Sequence, residues 1–434
     1  MTLEHLRSYY HLSPARSDLE PKEKRRPSRS FAHLPPGRLV TRASGSCYVT
    51  EATRDAGDTH GNHRYGELQD VGGAGLSVLT GDLDLARHDC SRTVILDTET
   101  TGLGVGAGTY VFLVGAGWYD GASFHLTQFF LPGPADESVY LEELHDFLSG
   151  FSTVITFNGK AFDWPLLESR YIRQRKRPPS MLSHHVDLLY PARRLWRERL
   201  ESCALKDLEM RVLEVVRDED DVQGWQIPEM YFRYQRTGDD QPLRRVLYHN
   251  TMDILSLAML AVRMHCIVSA PGAGHVRHPE DFFALGRMYD RAGMTDNAVS
   301  CFEEASHAEY APHVQSRALE RLGALHKRSG DWRSAVRAWI RLSKHGGDGA
   351  LVALVELAKY YEHVERDIGS ALARVREAML LHELREVGRQ GVTVYDLEHR
   401  LRRLLMRNSR LTVTERAGRA LPKRSEKQWD QFER

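Results

Sequence analysis

Two carboxylates stand two residues apart at the end of an apolar run in Val94-Ile95-Leu96-Asp97-Thr98-Glu99-Thr100-Thr101-Gly102-Leu103. A β-strand repeats its facing every two residues, so a strand over this run turns Asp97 and Glu99 to the same side. Like charges held together away from water repel, and a cation between them relieves the repulsion. All-oxygen sites of this kind suit hard divalent ions. A second acidic motif, Phe157-Asn158-Gly159-Lys160-Ala161-Phe162-Asp163-Trp164, follows a short strand predicted over 153–156, with a turn at Asn158-Gly159 and a helix opening near Phe162. Asp163 then falls in the first turn of a helix, where the macrodipole favours negative charge. The third motif, Tyr248-His249-Asn250-Thr251-Met252-Asp253, lies in an apolar-periodic segment over 242–266 that predicts a long helix. His249 is one turn before Asp253 and shares its face. An aspartate in the apolar stripe of a buried helix requires a partner.

At these three motifs the chain resembles the DEDD exonucleases of the RNase H-like superfamily, and most closely the YprB-type RNase H-like family. The resemblance covers residues 45–266 and rests on the strings DTETTGL, NGKAFD and HNTMD in combination. It implies an α/β mixed sheet with flanking helices, and it matches Asp97, Glu99, Asp163 and Asp253 to the four metal-binding carboxylates. The implied chemistry is phosphodiester hydrolysis with two ions, magnesium or manganese, about 3.5 to 4 Å apart. It also implies a 3′ to 5′ polarity on single-stranded DNA or RNA. One position departs from the pattern. Relatives place a general base as Y-x-x-x-D or H-x-x-x-x-D, whereas here His249 occupies the tyrosine position and Tyr248 the histidine position. A neutral imidazole one turn from Asp253 could take a proton from water, so His249 is the favoured base and Tyr248 the second candidate. Two other readings remain open at this point: a structure-selective endonuclease on the same fold, and a scaffold whose nuclease core no longer cuts.

Several neighbours could handle substrate. Asn158 and Lys160 offer an amide and an ammonium beside Asp163, suited to a phosphate or a terminal sugar. Trp164 could stack on a base, while Phe162 reads better as core. The run Arg193-Arg194-Leu195-Trp196-Arg197-Glu198-Arg199 is the best local candidate for tracking phosphates, through Arg193 and Arg194 first. His184-His185-Val186-Asp187 precedes Leu188 in a short strand and reads as structure rather than as a separate metal site.

Lysine plus arginine and aspartate plus glutamate both number 59 in 434 residues, so nucleic-acid binding must use a local basic face and not bulk charge. The five cysteines (Cys47, Cys90, Cys203, Cys266, Cys301) form no C-x-x-C pair, which argues against a zinc ribbon or a disulfide framework. No uninterrupted apolar run approaches about 20 residues, and the polar start Met1-Thr2-Leu3-Glu4-His5 has no signal-peptide core, so a cytoplasmic location is expected.

Along the chain, residues 1–44 read as a disordered basic arm and 45–90 as a short β-rich lead-in. Residues 91–270 read as the RNase H-like domain: a strand ending at Asp97, strand-like runs over 109–119 and 123–131 joined by Asp120-Gly121, a helix over 138–150 and the strand near Thr153. Gly102, Gly104, Gly106 and Gly108 crowd the loop after the first strand. Residues 279–390 carry a repeat. Gly286, Tyr289, Gly293, Ala298, Phe302 and Ala305 recur as Gly323, His326, Gly330, Ala335, Trp339 and Leu342, a shift of 37 positions, with a looser third copy at Ala358, Tyr361, Ala371, Val375 and Ala378. The pattern resembles tetratricopeptide repeats and predicts an all-α helical-repeat domain able to recruit a protein partner. Residues 391–434 read as a terminal helix and a charged tail.

Overall fold

In this computed structural model the described residues are 29–87, 92–102, 108–180, 182–218, 221–383 and 392–420. Among the described residues nine strands are formed: β1 (Gly37–Arg42), β2 (Gly45–Asp55), the small ribbon β3 (Thr59–His60) and β4 (His63–Arg64), β5 (Thr93–Thr100), β6 (Val111–Tyr119), β7 (Ser123–Phe130), β8 (Thr153–Thr156) and β9 (His184–Asp187). Seven of them make one sheet in the order β1-β2-β7-β6-β5-β8-β9. Neighbours from β1 through β5 are antiparallel, and β5-β8-β9 are parallel. The meander followed by crossovers matches the expected mixed sheet. Val94, Ile95 and Leu96 are all buried because β5 is central and covered on both faces.

Two sequence expectations change here. The arm over 1–44 is not uniformly irregular, since β1 lies within it and pairs with β2. Arg42 of this edge strand reaches Glu142 at 2.7 Å and also pairs with Glu143, so its charges protect the edge and anchor it. Nor is the segment over 45–90 only a lead-in, because β2 pairs with β7 along eight residues, Tyr48 to Asp55, and extends the main sheet. Residues 1–28, Gly104 and Gly106 lie outside the described residues.

The helices that follow in chain order are α1 (Gly73–Thr80), α2 (Glu137–Leu148), α3 (Asp163–Arg173), α4 (Leu189–Trp196), α5 (Leu205–Leu208), α6 (Ile227–Thr237) and α7 (Gln241–Ser269). By length and composition α7 could cross a membrane, but 67% of its most apolar stretch is buried inside the fold. It is the central core helix, lying against β5 and β6. Its first half, through Leu243, Val246 and Leu247, packs with α2, α3 and α6, and its second half, from Ile254 onward, packs on the other apolar cluster. A buried ion pair fixes α3: Arg170 donates to Glu137 of α2 at 2.5 and 2.8 Å and lies over the Tyr110 ring at 4.0 Å.

Among the described residues the region that follows is helical: α8 (Pro279–Arg291), α9 (Thr295–Ser306), α10 (Pro312–Ser329), α11 (Trp332–Ser343), α12 (Gly347–Tyr360), α13 (Ile368–Glu383) and α14 (Val394–Ala420). Each packs against its neighbours in sequence. The 37-residue shift has a steric cause. A Cβ on Gly286 would sit 2.8 Å from the Phe302 ring, and one on Gly323 only 2.2 Å from Nε1 of Trp339, so glycine lets an aromatic of the next helix close in. The loose third copy is interrupted by a wide turn over Tyr361–Glu365, whose buried Glu362 accepts from Arg400, Arg403 and Arg407 of α14.

One apolar cluster runs without a break from Ile95, Ile155 and Val186 of the sheet to Phe283, Leu285, Phe302, Leu319 and Trp339 of the helical region. At this junction Arg199 donates to Asp281 at 3.0 Å, Tyr289 donates to the Val268 carbonyl at 2.6 Å, and Arg317 forms a two-point pair with Glu198. Cutting the chain after Gly274 would leave Arg199 facing an empty half-buried site and expose the apolar surface under α8. Such a fragment should self-associate in size-exclusion chromatography with light scattering and melt below the full chain. A monodisperse fragment with an unchanged melting temperature would show that the junction contributes nothing to the nuclease half.

Candidate active site

Pairing between β5 and β8 stops at Ile95, so among the described residues the end of β5 has β6 on one side and no paired strand on the other. Asp97 and Glu99 project at this open end, and α3 brings Asp163 up to it. Thr98 donates a short hydrogen bond to Asp163 and links the helix start to the strand. The preceding turn is locked from below: the backbone N–H groups of Asn158 and Lys160 donate to the Asp187 carboxylate at 2.8 and 3.1 Å, and Asn158 takes a left-handed conformation with φ 67°. Asp187 is thus a buried backbone acceptor at the end of β9, while the side chains of Asn158 and Lys160 stay exposed. His185 bonds Thr156 at 2.8 Å, and burial lowers its pKa to about 4. The His184-His185-Val186-Asp187 segment forms β9, the short strand expected there, and its His185 and Asp187 make hydrogen bonds within the fold.

The helix α7 supplies the third side of the site. Opposite Asp97 on β6 stands Gly115, where a Cβ would fall 2.2 Å from the Asn250 side-chain oxygen. Glycine there lets α7 approach until Asn250 donates to Asp97 at 2.9 Å. Asn250 is fully buried, and its own oxygen accepts from Gln128 at 2.8 Å. Gln128 also donates to the Leu247 carbonyl at 2.8 Å and accepts from Thr50 of β2 at 3.3 Å. A buried amide relay therefore fixes the Asp97 carboxylate from behind. Sequence reading missed Asn250; its position inside HNTMD on the buried face of α7 was the available signal.

Ligand atoms of Glu99, His249 and Asp253 lie within 4.8 Å of one another. His249 has a carboxylate at each ring nitrogen, with Nδ1 2.6 Å from Asp221 and Nε2 3.5 Å from Asp253. Arg217 is also 3.2 Å from Nδ1, but the shorter contact with an anion places the ring proton on Nδ1, donated to Asp221. Tyr248 points away and donates to Asp218 at 3.2 Å. Arg217, in the segment before α6, pairs with Asp253 and with the buried Glu209, and lies 3.5 Å from Asp221. No motif or periodicity marked Arg217, Glu209 or Asp221 in advance.

Burial is the largest cause of the carboxylates' unusual behaviour, and their mutual charge adds to it. Asp97 is held well above the ordinary carboxylate range by burial, then by Asp253 and Asp163, with Asn250 and Arg217 opposing. Glu99 is raised by burial, then by Asp97, Asp253 and Asp163. Asp163 is raised to about 6, again by burial first, against the bond from Thr98. An environment that strengthens proton binding by charge would also hold a divalent cation, and a set of carboxylate oxygens fits a hard ion of that kind.

The other expected substrate residues are spread more widely. Trp164 is half-buried, edge-on to His185 with centroids 5.7 Å apart, and its indole donates to Glu168 at 2.9 Å. Arg194 donates to the carbonyls of Leu79 and Thr80, both at 3.0 Å, and so caps the carboxyl end of α1. Arg193 is exposed on α4.

The RNase H superfamily pattern matches residues 94–265, the span from β5 to the end of α7. The chain is also 31% identical over 338 residues to the uncharacterized protein YprB of Bacillus subtilis (strain 168), covering 77% of this chain and 80% of that one.

The raised carboxylates set a pH dependence. Asp163 binds its proton more tightly folded (about 6) than unfolded (about 3.9), and Asp97 and Glu99 shift the same way. Between those values the folded state carries more protons, so this contribution to stability falls as pH rises through the window. In chelator, the melting temperature should climb by about 2 °C or more on going from about pH 7 to about pH 5. Saturating divalent cation should flatten the slope, and Asp97→Asn should reduce it. A slope unaffected by both, read by differential scanning fluorimetry, would show that the cluster is not under this electrostatic load.

Proposed function

The chain belongs to the YprB-type family of the RNase H superfamily, and from that membership we propose that it is a metal-dependent nuclease, a DEDD-type exonuclease acting 3′ to 5′ on single-stranded nucleic acid in the cytoplasm. The observation that carries the proposal is the convergence of Asp97, Glu99, Asp163 and Asp253, in which the Asp253 charge adds to burial in raising the proton affinity of the other three. In this reading those four residues hold two magnesium or manganese ions. The ions would supply charge stabilisation at the phosphate and would acidify the attacking water.

The protein's own groups perform the rest. Asn250 and the relay behind it keep Asp97 oriented. Asp221 fixes the tautomer of His249, leaving Nε2 free of a proton on the side of Asp253, where it accepts one from the attacking water. The imidazolium formed is stabilised by the same aspartate. Asn158 and Lys160, held in backbone by Asp187 and exposed in side chain, would in this reading contact a phosphate or terminal sugar beside Asp163. The polarity and the preference for single strands follow from the family resemblance. The helical region outside the junction remains the surface for a protein partner.

With an end-labelled single strand in magnesium, the full chain should shorten the strand from its 3′ end and leave a circular strand intact. Chelator or Asp97→Ala should abolish cutting while circular dichroism stays unchanged. Cutting of the circle would turn the assignment to an endonuclease, and full activity in chelator or in Asp97→Ala would refute the metal site.

His249→Ala should lower turnover by about two to four orders of magnitude and remove the acidic limb of the pH-rate profile. Tyr248→Phe should change turnover far less. The reverse ranking, measured in single-turnover experiments, would reassign the base to Tyr248.

A further inference from the structure

A groove of about 280 Å³ lies between α4 of the sheet domain and α8 of the helical region, lined by Tyr190, Arg193, Arg194, Arg197, Arg287 and Arg291 among others. Five of those six side chains are arginines, three from one element or its end and two from the other. Among the described residues their only acidic neighbour lining the groove is Glu198. That carboxylate is already engaged by both guanidinium nitrogens of Arg317, at 2.7 and 3.0 Å, and lies 3.7 Å from Arg287. Among the described residues no carboxylate pairs with Arg193, Arg197 or Arg291. Arg194 is held by neutral carbonyls, which orient its charge without cancelling it. Burial, and then Arg291, loosen its hold on its proton; burial and neighbouring arginines do the same to Arg287, with Glu198 opposing them. Folding thus concentrates positive charge where nothing in the fold requires it.

We propose that this groove binds the phosphodiester backbone of the nucleic-acid strand upstream of the cut end, and that α8 of the helical region is therefore part of the substrate track. The inference rests on the nuclease reading for the identity of the anion. Position supports it. Asp187 both braces the turn before Asp163 and begins the chain's passage into α4, since its carboxylate also accepts from the Leu189 backbone at 3.1 Å. Arg193 and Arg197 follow four and eight residues after Leu189, which at 1.5 Å per residue places them roughly 6 and 12 Å further along the helix. Tyr190 stands between, 44% exposed, with a ring face available to a base. Guanidinium groups match phosphate in charge and in paired donor geometry. The partner is a strand long enough to leave the carboxylate cluster and reach the arginines, so short substrates should bind without this contact.

The test measures binding separately from cutting. Fluorescein-labelled oligothymidylates and oligouridylates of four and fifteen nucleotides are titrated with the full chain in chelator by anisotropy, with strand integrity checked on a gel. The wild-type chain should bind the longer strands more tightly. In Arg287→Ala/Arg291→Ala that gain should shrink by roughly tenfold, and the slope of log K against log salt concentration should become shallower by about 1.4, near 0.7 for each lost phosphate contact. Arg287→Lys/Arg291→Lys should keep most of the salt dependence, which separates lost charge from a disturbed junction. An undiminished length effect in the alanine variant would overturn the proposal. So would equal competition by polyglutamate of the same charge, because the groove would then be a general polyanion surface. Hydrolysis persisting in Asp97→Ala would defeat the catalytic assignment alone and leave the binding result standing.

Discussion

Bringing carboxylates together away from bulk water is unfavourable, and the rest of the architecture is arranged around that one constraint. A carboxylate in low dielectric either takes a proton, finds a cation or moves away. Here none can move. Asp97 and Glu99 are fixed by the central strand, Asp163 by the start of a helix that the buried Arg170–Glu137 pair holds down, and Asp253 by the long core helix α7. The early end of β8 pairing leaves the opening, and Gly115 lets α7 come close enough to complete it. These features add little to the sheet as a sheet. Together they make a preorganised, electron-rich cleft, which is the condition under which a cation's charge has its largest effect on a reacting phosphate.

Arg217 is the counterweight. It carries one positive charge into contact with Glu209, Asp221 and Asp253, and its guanidinium is held more firmly protonated than usual, with burial opposing and Glu209 and Asp253 prevailing. Losing Arg217 would leave the buried Glu209 without its cation, a change that costs several kcal/mol in comparable settings (about 3–5 kcal/mol). Yet a single cation cannot neutralise the whole group. Asp97, Glu99 and Asp163 keep raised proton affinities with Arg217 in place, so the cluster retains an unmet demand for positive charge. A divalent ion engaging Asp253 would share that residue with Arg217, while His249 stays oriented by Asp221 on the far side of its ring.

How much of this could be read from the sequence depended on whether the physical cause was local. The D-x-E pair, the Asn158-Gly159 turn and the one-turn spacing of His249 and Asp253 are governed by residues adjacent in the chain, and the elements formed within a few positions of where periodicity put them. The strand bearing Asp97 runs on to Thr100 rather than stopping at the aspartate, because its partner β6 continues past it through a bulge at Glu99 and Thr100. Gly286 and Gly323 revealed a 37-residue period because the same glycine-aromatic contact recurs. What could not be read was every interaction closed over long separations. The Thr50–Gln128–Asn250–Asp97 relay joins four distant segments, and Arg217 meets Asp253 across 36 positions from a stretch with no regular pattern. Likewise Arg42 looked like part of a solvated basic arm, since nothing nearby in sequence reveals the glutamates of α2.

The junction with the helical region argues against dividing this chain into a cutting half and a recruiting half. Separate modules joined by a linker usually share a modest, polar interface and move against one another. Here the apolar cluster is continuous, the Arg199–Asp281 pair is largely buried, and Arg317 both grips Glu198 and lies over the Phe283 ring at 4.2 Å. The helix α8 is therefore held at a fixed position relative to α4. A fixed helix can present charge at a defined distance from a reacting centre, which a tethered module cannot do. Its outward face carries Arg287 and Arg291 toward Arg193 and Arg197, while its inward face carries Phe283, Leu285 and Tyr289 into the shared core. The apolar side sets the geometry, and the geometry makes the charged side usable.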